Sequence, residues 1–127
     1  MSSINHSVDG SFHNSPVLEI NHLNSYSFYT PNDTGTGTRH KGVIVFDLTI
    51  LQTTTLPALI HDSIMFNSME YNRMLAILKQ YTKFNKQIFI AYDDPENTYE
   101  EIKRILFDNK VLKLSEKEQA LFGYQWA

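Results

Sequence analysis

The chain of 127 residues has no cysteine. That excludes disulfides, thiolate metal sites and thiol nucleophiles, and it fits a reducing compartment, here expected to be the cytoplasm. No apolar run reaches ~18 residues, the length a membrane helix needs. The N-terminus is polar rather than a basic segment followed by an apolar one, so neither secretion nor membrane insertion is expected. Charge of one sign is also scarce, since 11 Lys and Arg face 14 Asp and Glu for a formal charge of -3. Such a field is too weak to hold a nucleic-acid backbone or an acidic membrane by charge alone, so direct binding of either is not expected. What is present is a content of 42% hydrophobic and 13% aromatic residues, enough to fill a single core in one soluble domain.

Residues 1 to about 15 are rich in Ser, Asn and His without an apolar period and read as a disordered leader, which leaves 16–127 as the folded domain. Val17 to Ile20 and Tyr26 to Tyr29 are β-prone and separated by a turn-forming segment, which predicts a hairpin stopped by Pro31, Asn32 and Asp33. From Leu56 onward strand and helix signals alternate, as in a parallel α/β sheet. Leu56 to His61 predicts a strand ending at Asp62. Asn67 with Glu70 predicts a capped helix running to about Phe84 on the stripe Tyr71, Met74, Leu75, Leu78 and Tyr81. Ile88 to Tyr92 predicts a second strand, Thr98 with Glu101 a second capped helix, and Val111 to Leu114 a third strand. Ser115 with Glu118 predicts a last helical turn or two, stopped by Gly123. The segment Gly42 to Leu51 is ambiguous: its β-branched residues and the alternation of Ile44, Phe46, Leu48 and Ile50 favour a strand, while Val43, Phe46, Asp47 and Ile50 also fall on helical spacing.

Three features could carry chemistry. The loop Thr34-Gly35-Thr36-Gly37-Thr38 leads into an apolar segment. Its glycines would let backbone amides approach an anion, its Thr hydroxyls add donors, and a following helix would aim its positive end at a phosphate; an ordinary flexible turn is the alternative. The strand through His61 delivers Asp62 and Ser63 at its C-terminal end, where open parallel sheets bind ligands. An Asp there can hold a magnesium ion or its water shell, or simply cap a loop. His61 itself reads as a packed or hydrogen-bonded histidine rather than a ligand. The strand ending Tyr92-Asp93-Asp94 sets two acids beside a second crevice, or merely stops before Pro95.

In this order the strings TGTGTRHKGVIVFDLTIL, LPALIHDSIMFNSM and QIFIAYD resemble the C-terminal lobe of an SMC-like, coiled-coil ABC ATPase head, and within it a bacterial family of unknown function, over roughly residues 17 to 126. The resemblance implies an α/β fold with an N-terminal β-hairpin followed by alternating helices and a mostly parallel sheet. It implies that Thr34 to Thr38 form a signature-like loop for the γ-phosphate of ATP held by an opposing subunit, with a signature helix from about Thr38 to Leu51 in place of the strand that local pattern favours. Asp62 would be the Walker B aspartate, holding Mg2+ through water, Ile64 to Met69 the D-loop region, and Tyr92, followed by Asp93, would stand at the switch position.

The implied partners are a Walker A lobe and coiled coil from the same or another chain, or a second copy in a homodimer. ATP and Mg2+ would be bound only in the complete head. The chain departs from the pattern in three places: it has no GxxxxGK[ST] loop, Ser63 stands at the usual catalytic Glu position, and Tyr92 replaces the switch histidine. By itself it is not expected to hydrolyse ATP. Two other classes compete. One is a folded interaction module that docks without nucleotide. The other is a degenerate haloacid-dehalogenase-like phosphatase with Asp47 as nucleophile, in which Thr49 stands where the acid two residues on is expected.

Overall fold

The computed structural model describes residues 1–10 and 13–114. Its elements run α1 (Ser2–Asp9), β1 (Val17–His22), β2 (Ser25–Tyr29), α2 (Thr36–Thr53), β3 (Ala58–Asp62), α3 (Tyr71–Tyr81), β4 (Gln87–Ala91) and α4 (Glu100–Asp108), with 3-10 turns at Ser63–Met65 and Pro95–Asn97. The fold is mixed α/β. β1 and β2 form an antiparallel hairpin with Leu18 opposite Phe28 and Ile20 opposite Tyr26. β3 and β4 pair in parallel, Ala58 with Gln87 through Asp62 with Ala91, joined by α3 as parallel pairing requires. Among the described residues no helix is long and apolar enough to cross a membrane.

α2 is the centre of the molecule. Ile44, Val45, Leu48 and Leu51 are fully buried on one side of it. Its other side carries the hairpin, where Phe28 meets Phe46 edge to face at 5.6 Å and Gly42 lies under Pro16, Phe28 and Thr30. A helix covered on two sides is apolar nearly all round and loses its 3.6-residue signature. This is why local alternation favours a strand over Gly42 to Leu51 whereas the segment is helical. The core is completed by Phe66, by Met74, Leu75, Ile77, Leu78 and Tyr81 of α3, and by Ile102 of α4.

The leader expected to be disordered is instead ordered over α1, which buries Ile4 and Val8 in the same core and packs chiefly on α3. An eight-residue helix has little stability of its own, so this docking is what holds it. A buried ionic cluster adds to it. Lys41 Nζ, wholly buried, donates to Asn5 Oδ1 at 2.8 Å and lies 3.1 Å from Asp9 Oδ2, while Asp9 Oδ1 accepts from Arg73 Nε at 2.8 Å. Asp9 Oδ2 accepts no hydrogen bond, so its approach to Lys41 is an ion pair without hydrogen-bond geometry.

Both expected capping boxes are absent. The N-caps of α3 and α4 are Glu70 and Tyr99, and neither uses its side chain as a cap. The Glu101 carboxylate is drawn instead to Lys79 and Tyr71. Val111 to Leu114 is exposed and lies in no strand. The helical turn expected from Ser115 falls outside the described residues.

Candidate functional site

The Gly/Thr loop and the first turn of α2 make one structure. Thr30 and Asp33 close a turn through a β-bridge, with Asn32 in the left-handed region at φ 60°. The turn aims the Asp33 carboxylate at the helix tip. There Oδ1 accepts the Gly35 amide at 3.1 Å and Oδ2 accepts the Thr38 hydroxyl at 2.7 Å. The Thr38 hydroxyl first, and the Gly35 amide second, hold the Asp33 carboxyl below the usual carboxylate value, against a smaller opposing effect of burial. Thr38 is buried and already engaged. Thr34, Gly35 and Thr36 are exposed. Helix geometry leaves the amides of Thr36, Gly37 and Thr38 without an intrahelical acceptor, which is the standard anion-binding end of a helix.

Gly37 is a packing requirement. A Cβ at this position would collide with the Ser68 carbonyl oxygen and lie 3.7 Å from Met69 Cα. The first turn of α2 therefore rests directly on the backbone of the segment that follows Asp62. Asp62 stands exposed at the C-terminal end of β3 and caps the next 3-10 turn, its Oδ1 accepting the Ile64 amide at 3.0 Å and, at 3.4 Å, the Ser63 hydroxyl. Ser63 is buried and turned onto Asp62. The parallel register sets Asp62 opposite Ala91, so Asp62 and the Tyr92-Asp93 pair share one end of the sheet. Asp93 is exposed. Tyr92 instead faces the core, with its ring 6.2 Å from Phe66 and its hydroxyl 3.7 Å from Met74 Sδ. Among the described residues no group of three or more His, Asp or Glu is gathered as a metal site. A lone exposed carboxylate such as Asp62 suits only a magnesium ion held mostly by water and phosphate.

A second constellation has no counterpart in the sequence motifs. His61, 3% exposed, shares a hydrogen bond at Nδ1 with the Tyr81 hydroxyl at 2.5 Å and presents Nε2 to Asp47 Oδ2 at 3.1 Å. Burial first, and the negative charge of Asp47 second, push the Tyr81 hydroxyl far above its ordinary pKa. The phenol therefore keeps its proton and stays hydrogen-bonded to Nδ1. The Asp47 carboxylate can only accept, so it takes the hydrogen on His61 Nε2. His61 is thus a hydrogen-bonded histidine, as its place in an apolar strand suggests, but its partners lie 14 and 20 residues away on two helices and no local spacing marks them. The phosphatase-like alternative needs Asp47 at a strand end, and Asp47 lies in the middle of α2 with its carboxylate held by His61.

No curated protein and no solved structure matches the chain. Residues 3–126 match the model of a family described as an uncharacterised protein conserved in bacteria, DUF2326. A match over nearly the whole chain shows that it belongs to this uncharacterised bacterial DUF2326 family.

Proposed function

We propose that the chain is the C-terminal half of an SMC-like ABC ATPase head. In this reading it supplies the signature-like tip of α2 and the Walker B Asp62 to an ATP site completed by a separate Walker A lobe, and ATP drives the two to associate. The observation that carries it is the seating of α2: the helix begins at the Gly/Thr loop, and its first turn lies on the segment following Asp62, with Gly37 against Ser68. Free amides at the tip would receive a phosphate presented by another subunit, and Asp62 would hold the accompanying magnesium through water. Ser63 is buried and Tyr92 is packed on Phe66, so neither the usual water-orienting acid nor a free switch side chain is supplied. The reading is therefore of a nucleotide-dependent clamp whose hydrolytic groups come from elsewhere. The interaction-module alternative draws on Asp33, whose carboxylate already occupies the tip amide of Gly35.

The test uses Thr36→Glu, because Gly37→Glu would collide with Ser68 and damage the fold whatever the function. Thr36 is exposed in the first turn of α2, where a carboxylate favours the helix but repels a phosphate. Association of the chain with the Walker A lobe of the parent protein, followed by analytical ultracentrifugation with and without ATP and Mg2+, should require nucleotide and weaken at least about tenfold in Thr36→Glu. Association of equal strength without ATP, unmoved by the substitution, would establish the plain interaction module instead.

A further inference from the structure

A groove of about 810 Å3 runs between the β1–β2 hairpin and the outer side of α2. Its walls are apolar and left in solvent: Ile20 is 79% exposed, Leu23 99% and Tyr26 73%, with Leu18 and Val43 also exposed. A hairpin of two strands with an open apolar face is of the kind that partners cover. Among the described residues, Asp47 is the only carboxylate lining the groove. That carboxylate is built in rather than incidental. Its Oδ2 is held by the Nε2 proton of buried His61, whose ring is fixed in place from the other side by the Tyr81 hydroxyl at Nδ1. Asp47 remains 29% exposed, so Oδ1 is left for a ligand.

Nothing in the proposed nucleotide site uses this relay. A buried histidine that spends both nitrogens aiming one carboxylate into an apolar groove is the arrangement expected where a cation must be recognised among hydrophobic contacts. The complement of such a surface is an apolar segment carrying one positive side chain. We propose that the groove docks an apolar segment of a partner polypeptide that carries a lysine or arginine, whose cationic head pairs with Asp47 while its neighbours cover Ile20, Leu23 and Tyr26. The attachment is independent of nucleotide.

Panning the full chain against a random-sequence displayed peptide library tests this without knowing the partner. Selected peptides should combine apolar residues with one Lys or Arg, and should lose binding to Leu23→Asp, a change at a fully exposed position that leaves the fold intact. Asp47→Asn keeps an acceptor for His61 but removes the charge. It should weaken the selected peptides at least about tenfold, and replacing the peptide's basic residue by Gln should cause no further loss in that variant. Selection of peptides without a basic residue, or of peptides indifferent to both Asp47→Asn and Leu23→Asp, overturns the proposal. So does self-association of the free chain that Leu23→Asp abolishes, since the groove would then belong to a second copy.

Discussion

Replacing Gly37 by alanine should destabilise the fold, although alanine is the better helix former. The added methyl group would enter the space of the Ser68 carbonyl oxygen, and the obstacle is backbone at the entrance to α3 rather than the far end of a flexible side chain. Relief needs a main-chain shift, and overpacking of this kind costs ~1–3 kcal/mol. The helix-propensity gain of alanine over glycine is at most ~1 kcal/mol and smaller in the first turn, so a net loss of about 1–2 kcal/mol is expected. Gly42, farther along the same helix, provides the control. There a Cβ would meet Pro16 Cβ and Thr30 Oγ1 at 3.6 Å and Phe28 Cε1 at 3.7 Å, all ordinary contacts. Gly42→Ala should therefore stabilise by about 0.5–1 kcal/mol through helix propensity and a less flexible unfolded chain. Urea unfolding of the full chain, followed by circular dichroism, reads both signs as shifts in midpoint at constant slope. A Gly37→Ala protein as stable as the parent, or a Gly42→Ala protein less stable than Gly37→Ala, would refute the close packing of α2 on the Ser68 backbone.

Two further outcomes follow from the charged groups. Asp9→Ala should cost ~3–5 kcal/mol, because it leaves Lys41 fully buried without its carboxylate, and the double variant Asp9→Ala/Lys41→Met should recover much of that loss in the same unfolding assay. Asp33 has a depressed folded-state pKa, so its contribution is present above the unfolded value of roughly 4 and is lost as pH falls through the folded value. Asp33→Asn should accordingly flatten the acid limb of stability below about pH 4, measured by thermal melting across that range, while leaving the profile above about pH 5 parallel to the parent.

The parallel pair and α3 were legible because each has one buried face and so keeps its period: Leu59 and His61 point inward while Ile60 points out, and Met74, Leu75, Leu78 and Tyr81 line one side of a helix. The hairpin was legible from its β-prone residues on either side of a turn-forming segment. α2 was not legible from its own pattern, since burial on two sides erased the distinction between faces. α1 carries little signal because only Ile4 and Val8 are apolar anchors among Ser, Asn and His, and its other buried residue, Asn5, is satisfied by Lys41 from 36 positions away. The capping boxes are absent for a related reason: Glu101 has a stronger partner in Lys79 than a backbone amide. Of the candidate site, the loop and Asp62 could be named from sequence. The seating of Gly37 on Ser68 and the aiming of Asp47 by His61 depend on contacts between distant segments.

The parallel ribbon has a practical side. Among the described residues β3 and β4 each hydrogen-bond to one neighbour, and Ile60 and Phe89 sit opposite each other in register and exposed. Unpaired strand edges beside apolar side chains recruit like strands from other molecules, which is how fibrils begin. Asp62, Asp93 and Asp94, exposed together at one end, act as gatekeepers by mutual repulsion between copies. Losses when the isolated chain is concentrated should therefore originate in this ribbon, and protecting it means keeping those acids charged rather than strengthening the helical core.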